Sequence, residues 1–399
     1  MKLASRLARI EPFYVMECAK AAVELARSPA CDPAQGGSPM IFLNIGEPDF
    51  TAPPRVQDAA ERALRAGLTQ YTQATGLPEL RERISDWYRT RFGLEIPARR
   101  IVVTAGASAA LQLACLALVD RGDEVLLPDP SYPCNRHFVS AAEGVPVLLP
   151  APPEERYQLS AHSVRDAWTE RTRGVLLASP SNPTGTSIDP DEMRRIVAEV
   201  RRRGGFTIVD EIYLGLSFDE RYGHSALMHD SAGDHGDVIS INSFSKYFCM
   251  TGWRLGWLVL PEALVPAVEK LAQNLYICPS TLAQHAALAC FEPEAIAEYE
   301  RRRHEFRARR DYLVPALATL GLPVPVMPDG AFYAWADCSA HSASSWDFVF
   351  DVMRRAHVAI TPGRDFGHHG SERFVRLSYA NSMSQLEESV HRLQRMLAA

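Results

Sequence analysis

Between residues 100 and 260, short apolar runs rich in β-branched residues recur along the chain, separated by longer stretches with amphipathic periodicity. The runs are IVVT (101–104), EVLLP (124–128), PVLLP (146–150), GVLLAS (174–179), FTIVD (206–210), VISIN (238–242) and LGWLVL (255–260). They are apolar on nearly every residue instead of alternating, which marks strands covered on both faces. Stretches between them, such as DEMRRIVAEVRRR (191–203), carry the helical period. Strand-like runs alternating with helices predict an α/β fold with a mostly parallel sheet buried between helical layers.

The flanks read differently. A helix is expected from about Glu11 to Ala26, then a Pro, Gly and Ser-rich loop (SPACDPAQGGSPM, 28–40), then a short strand at the start of IFLNIGEPDF. Beyond Pro261 the pattern predicts long helices over 262–289 and 295–320, with strand candidates at Ala331–Ala336 and Phe374–Ser378. At 399 residues the chain exceeds what one core usually serves. The expected division is an N-terminal helix and arm (1–45) joining a smaller α+β domain (286–399), with a large domain over 46–285.

Composition narrows the function classes. Hydrophobic residues make up 47% and charged ones 23%, so a folded globular chain is expected, not a disordered one. A net charge of -6 argues against attraction to nucleic acid or an anionic membrane. The basic run RRRHEFRARR (301–310) reads as a solvated helix face. The eight cysteines show no metal-ligand or redox spacing and fit free thiols in a reducing compartment. MKLASRLARI lacks the apolar core of a signal peptide, and AGASAALQLACLALV (105–119) is too short for a membrane span. A soluble cytoplasmic protein is the expectation. His368 and His369 sit in a Gly-rich loop and read as loop residues, so no metal is expected.

In open α/β sheets ligands bind beyond the carboxyl ends of the strands, and there the chain places its reactive side chains. IVVT runs into AGASAAL, where Gly106, Ala107 and Ser108 fit either an anion at a helix N-terminus or an ordinary tight turn. GVLLAS ends in PSNPTG, presenting Asn182; FTIVD ends in Asp210, with Glu211 and Tyr213 following; VISIN delivers Ser243, Ser245 and Lys246, with Arg254 beyond. Lys246 stands out, because the other lysines are only Lys2, Lys20 and Lys270 in a chain with 42 Lys plus Arg. A generic cation would have been arginine; a primary amine adds the capacity to condense with a carbonyl. A phosphate cradle, a carboxylate, a phenol, an amide and one lysine together suit pyridoxal 5′-phosphate. A nicotinamide cofactor is disfavoured, since AGASAAL lacks the G-x-G-x-x-G spacing.

IEPFYVM begins near residue 10, and NIGEPDF, YTQATGLPELR, TAGASAAL, PDPSYP, SNPTG, VDEIY, SFSKYFCMTGWRLGW, PDGAFY and FVRLSYANS follow in this order to near residue 380. In these segments the chain resembles the class I/II aminotransferases, fold-type I enzymes dependent on pyridoxal phosphate. The resemblance implies that Lys246 holds the cofactor as a Schiff base and, once freed, shuttles the substrate's Cα proton. It implies that Asp210 pairs with the pyridine nitrogen, that Asn182 and Tyr213 bind the phenolic oxygen, and that Tyr132 stacks on the ring. The backbone at Gly106 and Ala107, the hydroxyls of Ser108 and Ser243, and Arg254 match the phosphate cradle. Tyr71 matches a tyrosine that reaches the neighbouring subunit's phosphate, implying a homodimer with shared sites. Arg376 matches the grip on the substrate's α-carboxylate, with Gly46 and Asn182 beside it, although an Arg in mid-strand also fits a solvent-facing position.

The partners are then an amino acid and a 2-oxo acid. Some aspartate-preferring relatives carry lysine where this chain has Ser108, so a neutral donor, small or aromatic, is expected, with Phe13, Tyr14 and Phe332 as pocket walls and pyruvate or 2-oxoglutarate as acceptor. Two alternatives use the same motifs: a carbon–sulfur β-lyase and a non-catalytic aminotransferase-like module. The module is disfavoured because about ten residues precede the family match and leave no room for a DNA-binding domain.

Overall fold

The computed structural model describes residues 2–12, 14–231 and 236–398. Its strands are β1 (Ile41–Phe42), β2 (Ile101–Thr104), β3 (Glu124–Asp129), β4 (Val145–Pro150), β5 (Thr172–Ala178), β6 (Phe206–Asp210), β7 (Val238–Ser243), β8 (Gly256–Val259), β9 (Tyr333–Asp337), β10 (Val358–Ala359), β11 (Thr361–Pro362) and β12 (Phe374–Ser378). All seven central runs are strands, and they form one sheet in the order β2-β8-β7-β6-β5-β3-β4. Its pairs are parallel except where β8 meets β2 and β7. Strands β2, β3, β6, β7 and β8 are buried on both faces, as their continuous apolar sequences require. The half-exposed β4, which carries Pro146 and Pro150, lies at an edge, where a strand tolerates missing N–H donors.

The helices are α1 (Tyr14–Ala26), α2 (Pro54–Arg65), α3 (Pro78–Phe92), α4 (Ala107–Leu118), α5 (Pro133–Ala141), α6 (Ala161–Ala167), α7 (Pro190–Arg202), α8 (Val265–Leu275), α9 (Thr281–Leu288), α10 (Pro293–Thr319), α11 (Ser345–Ala356) and α12 (Met383–Leu397). Local chemistry sets several of their ends. Asp189 caps α7 by accepting from Asp191 N, with proline at the first helical position; α3 also starts on proline and ends at Gly93, whose φ of 67° is left-handed.

Two expectations need correction. The helix expected over 262–289 is broken into α8 and α9: Ile277 is left-handed, Pro279 follows, and Ser280 caps a new start by accepting from Ala283 N. The basic run on α10 is only partly solvated. Arg301 and Arg307 are exposed, but Arg302 and Arg309 turn inward, Arg302 donating to Thr51 O and Arg309 making a two-pronged pair with Asp49 at 2.8 and 2.9 Å.

The remaining strands gather elsewhere. β9, β12 and β11 form an antiparallel sheet with β12 in the middle, and β1 pairs in parallel with β10. α1 packs on β10, β11 and α11. The eight cysteines are free thiols. Among the described residues no helix is long and apolar enough to cross a membrane.

Candidate active site

A cavity of about 460 Å³ opens where the parallel strands end. β5 contributes Ala178, Pro180 and Asn182; β6, Asp210 and Tyr213; β7, Ser243, Ser245 and Lys246; the turn into α4, Ala107 and Ser108; the segment after β3, Tyr132; and the approach to antiparallel β8, Arg254. Gly46 and Arg376 close it from the side of the smaller sheet. Residues spread from 46 to 376 thus share one chamber, at the place this sheet topology favours for ligands.

The phosphate-type rim is built by close backbone approach. Gly106 has φ 85°, and a Cβ there would lie 2.7 Å from Arg254 Nη2. A Cβ at Gly256 would meet Ala107 N at 2.8 Å. The two glycines let the first turn of α4 settle beside Arg254, leaving its free amides and guanidinium at one end of the cavity. Ser108 and Arg254 are exposed there, whereas Ser243 is buried. Gly106 contributes through its conformation and does not itself line the cavity.

At the centre, Lys246 Nζ donates to Gly46 O at 2.6 Å and lies 5.7 Å from the ring centres of Tyr213 and Phe332. Burial lowers its pKa to about 8, which makes the neutral, nucleophilic amine accessible. Asp210 is buried and, among the described residues, accepts one weak bond, from Ile212 N at 3.3 Å, and burial raises its pKa to about 7. A carboxylate with so few donors is poised for a cationic partner such as a protonated ring nitrogen. The neighbouring Glu211 points away into its own network, accepting from Ser225 Oγ, Ser240 Oγ and Ala226 N. Two adjacent acids are thereby separated into a satisfied one and an available one.

Arg376 is buried, which removes the solvent-facing reading. β12 is the middle strand of its sheet, with Val375 and Leu377 in the core and Arg376 turned to the cavity. Its Nη1 donates to Asn182 Oδ1 at 2.9 Å and its Nη2 to Asn44 O at 2.8 Å, over the Tyr333 ring at 4.4 Å. This fixes a guanidinium where a planar carboxylate can meet its fork.

Other expected residues lie elsewhere. Tyr71 is 80% exposed and does not line the cavity. Phe332 is fully buried, packed edge-on against Tyr213, and Tyr14 packs on Trp346, so neither forms the wall expected of it. Phe13 lies outside the described residues. His368 and His369 are loop residues, but with an acidic partner the sequence did not reveal: the buried Asp129 accepts both backbone amides and His369 Nδ1. Among the described residues no cluster of ligands suits a metal.

Two contributors escaped the sequence reading. Tyr333 bonds Tyr213 through the hydroxyls at 2.8 Å, and a Cβ at Gly46 would sit 2.4 Å from its oxygen. The motif PDGAFY contains it, but only the turn before β9 shows that Tyr333, not Phe332, faces inward. Asn44 acts through a carbonyl, which no side-chain pattern exposes. A larger cavity of about 810 Å³ lies between α3, the loop after β6 and α10; of its four arginines, Arg91 and Arg303 pair with Glu300, and Arg310 and Arg307 with Asp311, the last at 4.0 Å.

The family model for aminotransferase class I and II matches residues 38–393. The valine–pyruvate aminotransferase of Mycobacterium tuberculosis is 37% identical over 97% of this chain and 96% of its own length. A probable aspartate/prephenate aminotransferase of Aquifex aeolicus is 35% identical over 99% of this chain and 98% of its own. Among solved structures, an aminotransferase from Mycobacterium tuberculosis superposes with a TM-score of 0.92 at 36% identity, covering 100% of this chain and 99% of that one. The aspartate aminotransferase of Thermus thermophilus gives 0.90 at 32%, covering 99% and 100%. These matches favour amino transfer over the β-lyase alternative. Likeness of sequence over nearly the whole length and likeness of fold agree with the chamber at the strand ends: the chain belongs to the class I and II aminotransferase family, and it is an aminotransferase of fold type I.

Proposed function

We propose that the enzyme moves the amino group of a neutral amino acid, small or aromatic, to a 2-oxo acid such as pyruvate or 2-oxoglutarate, using pyridoxal 5′-phosphate anchored at Lys246. The observation that carries this reading is the company Lys246 keeps. A buried amine of lowered pKa shares one cavity with an underused carboxylate, Asp210, and a fixed guanidinium, Arg376.

The residues fit the cofactor. Ala107, Ser108, Ser243 and Arg254, with the backbone at Gly106, would hold its phosphate; Tyr132 would cover the ring; Asn182 and Tyr213 would hold the phenolic oxygen; Asp210 would pair with the ring nitrogen. When bound, the cofactor supplies an electron sink for the charge left on the substrate's Cα. Arg376 holds the substrate's α-carboxylate, with the Gly46 backbone alongside, which orients the Cα–H bond towards Lys246. Lys246 Nζ then takes the Cα proton, acting as base in one half of the reaction and acid in the other. The Gly46 carbonyl, already bonded to Nζ, keeps the amine beside the bond it breaks.

Neutral side chains are favoured because Val15, Ala19, Ile45, Leu111 and Ile212 give the chamber an apolar wall. Ser108 supplies no cation for a second carboxylate. The relative from Mycobacterium tuberculosis named for valine and pyruvate supports this choice. Steady-state assays with pyruvate as acceptor should give kcat/KM for valine or phenylalanine at least about 10-fold above that for aspartate. A preference for aspartate would overturn the substrate assignment.

The lowered pKa of Lys246 predicts a pH dependence. Only the neutral amine attacks an aldehyde, so cofactor attachment to ligand-free protein should accelerate as pH rises to about 8 and level off above it. Stopped-flow absorbance reads this directly, and a rate still climbing towards pH 10 would contradict the burial effect.

We also read the chain as an arm (1–45), a large domain (46–285) and a small domain (286–399), in a cytoplasmic homodimer with shared sites. The strong exposure of Tyr71 supports its reaching a neighbouring subunit.

A further inference from the structure

The apolar wall of the substrate chamber is partly made by the N-terminal helix, α1. Val15, Met16 and Ala19, all on the first two turns of α1, line the cavity beside Ile45 and Arg376. What keeps this helix in place is polar and comes from two separate parts of the molecule. The carboxylate of Asp365 accepts from the first two amides of α1, Tyr14 N at 3.1 Å and Val15 N at 2.5 Å. Asp365 is only 2% exposed and sits in the turn after β11. Next to it, the Arg364 guanidinium lies 4.4 Å from the Tyr14 ring centre and 4.9 Å from that of Trp346. From the large sheet's side, Arg136 on α5 reaches Glu11 at 3.2 Å, just before the helix.

The turn is itself tied to the chamber. Phe366, the residue after Asp365, packs with Val15 and Trp335, and the Arg376 guanidinium lies 5.1 Å from the Phe366 ring centre. Phe366 O also accepts from Ser131 N, next to Tyr132. One short turn therefore holds the helix that walls the substrate and touches the residues flanking the carboxylate grip and the ring cover.

We propose that Asp365 is a positioning residue for the substrate wall: by holding the first amides of α1, it sets affinity for the amino acid's side chain without touching substrate or cofactor. The inference deepens the proposed aminotransferase reading and rests on it. A carboxylate on free helix amides satisfies donors that have no partner within the helix and complements the helix dipole. Without it, Val15, Met16 and Ala19 spend part of their time away from the chamber. The cost falls on binding of an apolar side chain more than on proton transfer at Lys246.

The test uses the cofactor-loaded enzyme with Asp365→Ala, and with Glu11→Arg as a second variant. Glu11 is half exposed, so its reversal opposes Arg136 without disturbing the core. Asp365→Ala should raise KM for a neutral amino acid by about 10-fold or more while kcat and cofactor affinity change by less than about 3-fold. Glu11→Arg should move KM the same way by about 3-fold. Tryptic cleavage after Lys20, an exposed residue on α1, gives a readout independent of activity: it should accelerate in both variants and slow again when the amino acid is added. If KM stays at the wild-type value while cleavage accelerates, the helix is held by Asp365 but does not wall the substrate, and the proposal fails. If Asp365→Ala does not fold, the Glu11→Arg result decides, and an unchanged KM and cleavage rate there overturns it. If the wild-type enzyme transfers no amino group from any neutral amino acid, the functional reading fails instead, and the cleavage rates still show whether the latch exists.

Discussion

Replacing Lys246 with alanine is expected to lower turnover by about 10⁴-fold or more, since in the proposed mechanism the variant loses both the amine that anchors the cofactor and the base that moves the Cα proton. The fold should tolerate the change. Among the described residues Lys246 Nζ makes one hydrogen bond, to the Gly46 carbonyl, and burial already disfavours its charge. Thermal unfolding of the ligand-free variant should therefore match or exceed that of the wild type, while the absorbance that marks covalently attached cofactor disappears. A variant that kept both that absorbance and turnover would remove Lys246 from the mechanism. Added methylamine offers a further check, because a small amine that restores part of the proton transfer assigns the loss to chemistry and not to folding.

The second large effect is expected at Asp210. In the ligand-free protein its pKa is raised by burial from 3.8 to about 7, so the folded state holds an extra proton across that window. The sign follows from linkage: stability from this group falls as pH rises through the window, and above about 7 the buried anion is a net cost. Asp210→Asn should thus raise the melting temperature of ligand-free protein at pH 8 by a few degrees. In the proposed mechanism the same substitution should cut turnover by about 10²–10³-fold, because the neutral amide cannot hold a proton on the ring nitrogen. Stability gained and activity lost at one residue is the mark of a functional group kept at a structural cost. Loss of stability together with normal turnover would assign Asp210 to the scaffold.

How much of this was legible beforehand depends on what kind of signal each feature leaves. The seven central strands were readable because strands covered on both faces are apolar throughout, and turn residues bound them on either side. The break between α8 and α9 was less visible: Pro279 was in plain sight, but the left-handed Ile277 is a backbone state that no residue type announces. Lys246, Asp210 and Asn182 could be found because each lies at or just beyond the end of a strand that could be placed. Tyr333 could not, since choosing it over Phe332 needs the turn preceding β9. Asn44 contributes a backbone carbonyl, and Asp365 acts on amides over three hundred residues away, so neither has a pattern along the chain. The inward turn of Arg302 and Arg309 was hidden for the same reason, as their partners Thr51 and Asp49 lie far off in sequence.

In the proposed mechanism Lys246, Asp210 and Arg376 form one amino-transferring centre around a bound cofactor. This mechanism is tested most directly by a single half-reaction: protein loaded with pyridoxal 5′-phosphate, mixed with valine and no acceptor, followed by absorbance and by assay of the keto acid. The expected result is one equivalent of keto acid per site, complete conversion of the cofactor to its amine form, and no reaction in Lys246→Ala. Continuous release of ammonia with the cofactor unchanged, or no spectral change with any neutral amino acid, would contradict it.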